Sequence, residues 1–298
     1  VGVGNARCAR SEWGQAVEVL TPALEDAAEA GDAVLRARAE CVLASARFNQ
    51  GGLDDARTLL ERAARTAGEH EVPSIKVPAT ISLGVVALAQ GNLAAAGVHL
   101  DGGVRLAEQV DDQHWAAMGR SYQAMHAHLG ENFELAAERY VDSHAELKTL
   151  GLRRATGVCS FAWALLALAR ERWADAEELL HRADADLCVT CPDYVPLIHS
   201  AMALTILAAG RKAEAGQRLA HARALCAATI PASFAWLVER AEELLAHGAF
   251  GDDEPNSIEG RLFRLALRRF TEAEHPHSLL VDSEGARARV LPEGTLLD

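Results

Sequence analysis

Aromatic side chains are scarce, at 5% of 298 residues, although hydrophobic residues of all kinds reach 50%. A core with few large rings must be filled mainly by Ala and Leu, which suits helices that approach one another through small side chains. No apolar run comes near the roughly 20 residues needed to cross a bilayer. No charged-then-apolar signal segment opens the chain, so a cytoplasmic protein with no membrane partner is expected. Basic residues are in deficit, 29 against 42 acidic ones, for a net charge of −13. An acidic body repels phosphate backbones, which argues against nucleic-acid binding by residues 1–247.

Motifs that carry chemistry are also missing. There is no His-Glu-x-x-His, no Gly-x-x-x-x-Gly-Lys-Ser/Thr loop and no Gly-x-Ser-x-Gly elbow. Paired acids such as Glu177-Glu178 and Glu242-Glu243 sit in stretches rich in Ala and Arg and read as solvated helix faces. Cys188-x-x-Cys191 has metal or redox spacing, but zinc wants four ligands and no second pair follows. Thioredoxin-like use needs a strand–helix context that is absent. His126 and His128, two apart, point to different sides of a helix and cannot chelate together. A non-enzyme without catalytic residue, cofactor or metal is expected. The six cysteines lie mostly in apolar helical stretches, as free core thiols do.

What is present is a repeat. Trp13/Ala16/Leu20 returns as Leu53/Ala56/Leu60, Leu93/Ala96/Leu100, Phe133/Ala136/Tyr140 and Trp173/Ala176/Leu180, each forty residues on. A sixth copy, Lys212/Ala215/Leu219, comes after thirty-nine. Spacings of three and four place each set on one stripe of a helix. Breakers keep the same time: Gly51-Gly52, Gly91-Asn92 and Gly210-Arg211 end first helices, while Gly31-Asp32, Glu71 to Pro73, Asp111-Asp112, Gly151 and Cys191-Pro192 separate repeats. A small residue stands nine before each bulky one, at Gly4, Ala44, Gly84, Ala124, Ala164 and Ala203, so the two helices of a hairpin can approach closely. Self-similarity of this length marks a stacked-repeat solenoid.

This ladder, with Gly91-Asn92-Leu93-x-x-Ala96, resembles the tetratricopeptide repeat over roughly residues 1–230. The family's large residue near the start of the first helix is replaced by Glu40, Thr80, Arg120, Ser160 and His199. The period of forty exceeds the family's common length of about 34 and is similar to the long repeats of MalT-like bacterial signal-transduction regulators. The resemblance implies an all-α, tetratricopeptide-like solenoid, a right-handed superhelix of helix hairpins whose first helices line a concave groove. Its register would place Ile81, Val85, Tyr122, Met125, His128, Phe161, Leu165 and Leu204 in that groove, as an apolar channel for a peptide or helix. The Lys/Asn clamp that some relatives use for a terminal carboxylate is replaced by Ser45, Asn49, Val85, Ala89, Met125 and Leu129.

Both ends are special. Gly4 fills the small site of the first repeat, so the chain is expected to open partway through a first helix, with a further segment upstream. Residues 1–247 read as about six helix pairs and a capping helix, residues 248–257 as a linker and residues 258–273 as a helix bearing Arg261, Arg264, Arg268 and Arg269. Residues 274–298 read as short strands, Leu279 to Val281, Ala288 to Leu291 and Thr295 to Leu297, either a terminal meander or the start of a winged-helix domain. The expected function is a protein-interaction or signal-relay module of a bacterial regulator. The alternatives are a small-molecule sensor and a DNA-binding regulator whose winged helix continues beyond Asp298.

Overall fold

In the computed structural model the residues described are 1–229, 232–247, 257–271, 289–290 and 296–297. Among them are fourteen α-helices: α1 (Gly2–Ala9), α2 (Trp13–Glu29), α3 (Ala33–Asn49), α4 (Leu53–Glu69), α5 (Pro73–Ala89), α6 (Leu93–Gln109), α7 (Gln113–Leu129), α8 (Phe133–Thr149), α9 (Arg153–Ala169), α10 (Trp173–Thr190), α11 (Val195–Ala208), α12 (Lys212–Thr229), α13 (Ala232–His247) and α14 (Ile258–Thr271). A 3-10 turn, Pro192–Tyr194, precedes α11. Arg289–Val290 pairs antiparallel with Leu296–Leu297. The strand expected at Leu279 to Val281 lies outside the described residues.

The fold is all-α, a solenoid of helix hairpins. From α2 to α9 each helix has 17 residues. One turn geometry sets that length. A left-handed residue recurs every twenty positions, at Ser11, Gly31, Gly51, Glu71, Gly91, Asp111, Glu131, Gly151 and Glu171. Around Gly31, its N–H donates to the Ala28 carbonyl at 3.1 Å and the Asp32 N–H to the Ala27 carbonyl at 3.0 Å, the two bonds of a Schellman cap. The Asp32 carboxylate then accepts from the Leu35 N–H at 2.8 Å and starts the next helix. Asn92, Asp112 and Asn132 do the same for Ala95, Trp115 and Leu135.

Two compact units are present. The first comprises Val1–Ala155 with residues 256–258, and the second Thr156–Pro255 with residues 259–298. In the first, each helix packs on its predecessor, and α1 to α3, α3 to α5 and α5 to α7 also touch. First helices therefore stand closer together than second helices, which bends the stack with the first helices inside. The curl is tight enough to bring the Arg154 guanidinium to 5.9 Å from the centre of the Trp13 ring. In the second unit, α10, α12 and α13 all pack on α11.

The repeat residues form the spine. Ala16, Ala56, Ala96, Ala136, Ala176 and Ala215 are wholly buried, with Leu20, Leu60, Leu100, Tyr140, Leu180 and Leu219 one turn on. The small site receives that second residue: a Cβ on Gly84 would stand 2.7 Å from the Leu100 Cγ, and one on Gly4 2.4 Å from the Leu20 Cγ.

At two of the positions where the tetratricopeptide pattern has a large residue, Glu40 and Arg120, ion pairs tie helices together. Buried Glu40 accepts from Arg36 at 3.3 Å and faces Arg62 of α4 at 3.1 Å. Arg120 of α7 bonds Glu146 of α8 and Glu108 of α6, joining three helices.

Candidate functional site

The groove expected from sequence is a face of the first helices, and helix rotation decides which residues can reach a partner there. Val85 and Tyr122 are partly exposed. Ile81, Met125, His128, Phe161, Leu165 and Leu204 are buried, so the expectation that all eight line an open channel is corrected. Ile81 lies over two glycines: a Cβ on Gly103 would come within 2.4 Å of its Cγ1, and one on Gly119 within 3.2 Å of its Cδ1. It is an interhelix knob, held by α6 and α7. His128 turns toward its own hairpin partner. Its Nδ1 lies 3.3 Å from the Tyr140 hydroxyl, and its ring meets Tyr140 and Phe133 edge-on. Its Nε2 has no hydrogen-bond partner. Burial pushes the imidazole pKa down to about 3, so the ring is neutral near pH 7.

The accessible row lies at other repeat positions. Val42, Ser82 and Tyr122 are forty apart and partly exposed, and so are Pro78 and Met118 on the same stripes. Val85, Leu129 and Asn49 extend the row, with Arg38 and Ser45 exposed at its edge. Spacings of three and four keep these residues on one side of α3, α5 and α7. The row mixes an aromatic, aliphatic side chains and small polar groups. Side chains of these kinds suit contact with a peptide or helix. Sequence reasoning passed over Val42, Ser82 and Met118, though the forty-residue step from Tyr122 already connected two of them.

In the second unit the first helix α11 is closed. Every residue of α11 from Pro196 to Leu207 is buried, so this helix has no solvent face. Tyr194, just before it, is buried with its ring edge-on to Phe161 of α9, centroids 5.9 Å apart. Its hydroxyl donates to a carboxylate oxygen of Glu259 on α14. Desolvation raises the Glu259 pKa above the ordinary carboxylate range, and the Tyr194 bond pulls the other way. No local pattern links residues 65 apart, so this pair left no mark in the sequence.

The remaining sequence candidates separate. Cys188 is exposed and Cys191 buried, and the two are not joined in a disulfide. His126 lies 2.9 Å from the Leu93 carbonyl, away from His128. Among the described residues no helix is long and apolar enough to cross a membrane.

No family model matches the chain, and no curated protein matches it in sequence. Solved structures do match its fold. BtubC (BKLC) from P. vanneervenii is 16% identical with a TM-score of 0.56, over 72% of this chain and 91% of that one. Aspartyl phosphate phosphatase F from Bacillus subtilis is 12% identical with a TM-score of 0.57, over 87% of this chain and 66% of that one. Both are helical-repeat proteins, and the chain is a helical-repeat protein of tetratricopeptide-like fold. At these identities the likeness concerns the fold alone.

Proposed function

We propose that the chain is a non-enzymatic interaction or signal-relay module of a bacterial regulatory protein, binding a peptide or helix along the first-helix face of its first unit. One observation carries this reading: Val42, Val85, Met118, Tyr122 and Leu129 are partly exposed and share one side of the first helices α3, α5 and α7. Tyr supplies contact area at low entropic cost and is enriched among residues that dominate binding energy. The small polar neighbours Ser45, Asn49 and Ser82 offer hydrogen bonds at the edge of that strip.

The test is selection from a phage-displayed library of amphipathic helices, followed by affinity measurement against surface variants. Selected helices are expected to lose at least about tenfold in affinity on Tyr122→Ala, the range of an aromatic hot spot. Val85→Asp should weaken them as well. Binders that ignore both substitutions would remove this face from consideration.

A further inference from the structure

α14 is unusual for a helix near the end of a repeat array. At 100° per residue, its buried residues within the second unit, Leu262, Ala266, Phe263, Leu267 and Gly260, sweep an arc of about 160°. A helix resting on a flat surface needs an apolar stripe of only about 100°. An arc that much wider marks a helix covered on more than one side. Arg261, Arg264 and Arg268 share the opposite arc and are partly exposed. Glu259 falls in the middle of the buried arc, between Ala266 and Phe263, and there it meets the Tyr194 hydroxyl.

Tyr194 ties this helix to the first-helix side of the second unit. The same ring packs on Phe161, one of the residues that repeat register assigns to the groove, and it leads into α11, which has no solvent face. The first helices of the first unit, by contrast, keep a partly exposed row.

We propose that α14 is a cis-acting plug in the first-helix groove of the second unit, and that the partner this groove fits is a helix of the same chemistry. That partner carries a broad face of Leu and Phe, one carboxylate in its first turn to accept from Tyr194, and arginines on its outer side. The proposal rests on the reading that first-helix faces of this protein take helices. Binding requires the partner to displace α14, whose tether holds it at an effective concentration in the millimolar range.

The probe is a fluorescein-labelled synthetic peptide of residues 257–271, titrated by anisotropy into three forms of the full chain. These are the intact chain, the chain nicked at a protease sequence inserted between Gly251 and Asp252, and the Phe263→Asp variant. The peptide is expected to bind the nicked and Phe263→Asp forms at least about tenfold more tightly than the intact chain, because the tethered competitor is weakened. A Glu259→Ala peptide should bind the nicked chain about tenfold more weakly, the scale of one charge-assisted hydrogen bond. Against a nicked Tyr194→Phe chain that difference should vanish. The nicked form needs no core substitution, so a folding defect in Phe263→Asp leaves the test decisive. Equal binding to intact and nicked chains, or binding to neither, overturns the plug. Either result beside intact Tyr122-dependent binding sinks the plug alone; loss of Tyr122-dependence with exchange retained sinks the first-unit reading alone.

Discussion

Two adjacent glycines in α6 separate helix propensity from packing. Gly102 and Gly103 both lie inside the helix, where Ala is favoured over Gly by about 0.8–1 kcal/mol. A Cβ on Gly102 would have nothing within 4 Å, so Gly102→Ala should stabilise the protein by close to that amount. A Cβ on Gly103 would stand 2.4 Å from Cγ1, 3.1 Å from the backbone N and 3.3 Å from the Cα of Ile81. Ile81 cannot swing aside, because it is fully buried and β-branched side chains are stiff in a helix. Overpacking of this kind costs about 1–3 kcal/mol. It offsets or exceeds the propensity gain, so Gly103→Ala should be less stable than Gly102→Ala by about 1–3 kcal/mol. Urea titration of the three proteins supplies the global comparison. Repeat arrays can unfold in parts, so amide exchange of α5 and α6 supplies the local one. Equal stabilisation by the two substitutions would refute the close approach of α5 and α6, and with it the account of why Ile81 is closed to a partner.

Two further expectations follow from the turns and from the buried histidine. Gly51→Ala, at a φ of +85°, should destabilise by about 1 kcal/mol, whereas Glu71→Gly, at +55°, should be neutral or stabilising by up to about 1 kcal/mol, read as opposite shifts in the urea midpoint. His128 has a folded pKa near 3, below its unfolded value, so the unfolded state binds more protons between about pH 6.5 and 3. Stability should therefore be fully present above about pH 6.5 and fall as pH drops through that window. His128→Leu should flatten the fall, and an unchanged pH profile would show that the imidazole is not buried neutral.

Architecture was largely legible because it is written locally. The Trp13, Leu53, Leu93, Phe133 and Trp173 series, the breakers between helices and the small sites at Gly4, Ala44 and Gly84 act through turns and nearest-neighbour helices, whose geometry repeats as the residues do. The helix ends were legible too: Asp32, Asn92, Asp112 and Asn132 each cap the helix that follows them. Glu71, Asp111 and Glu131 occupy the same left-handed position as Gly31 and Gly91, because that conformation is imposed by the cap whatever residue stands there.

Exposure was a different matter. Ile81 and Val85 are four apart on one helix, and periodicity alone makes them equivalent. Only the packed structure brings Gly103 and Gly119 against Ile81 and leaves Val85 partly open. Likewise nothing in the run from Ile258 to Thr271 announces that Glu259 would find Tyr194. The sequence by itself determined the hairpins, their period and their spine, through interactions within one turn or between adjacent helices. The tertiary structure alone decided which first-helix residues stay accessible and where α14 is seated, because burial depends on every neighbour at once and those neighbours come from distant parts of the chain.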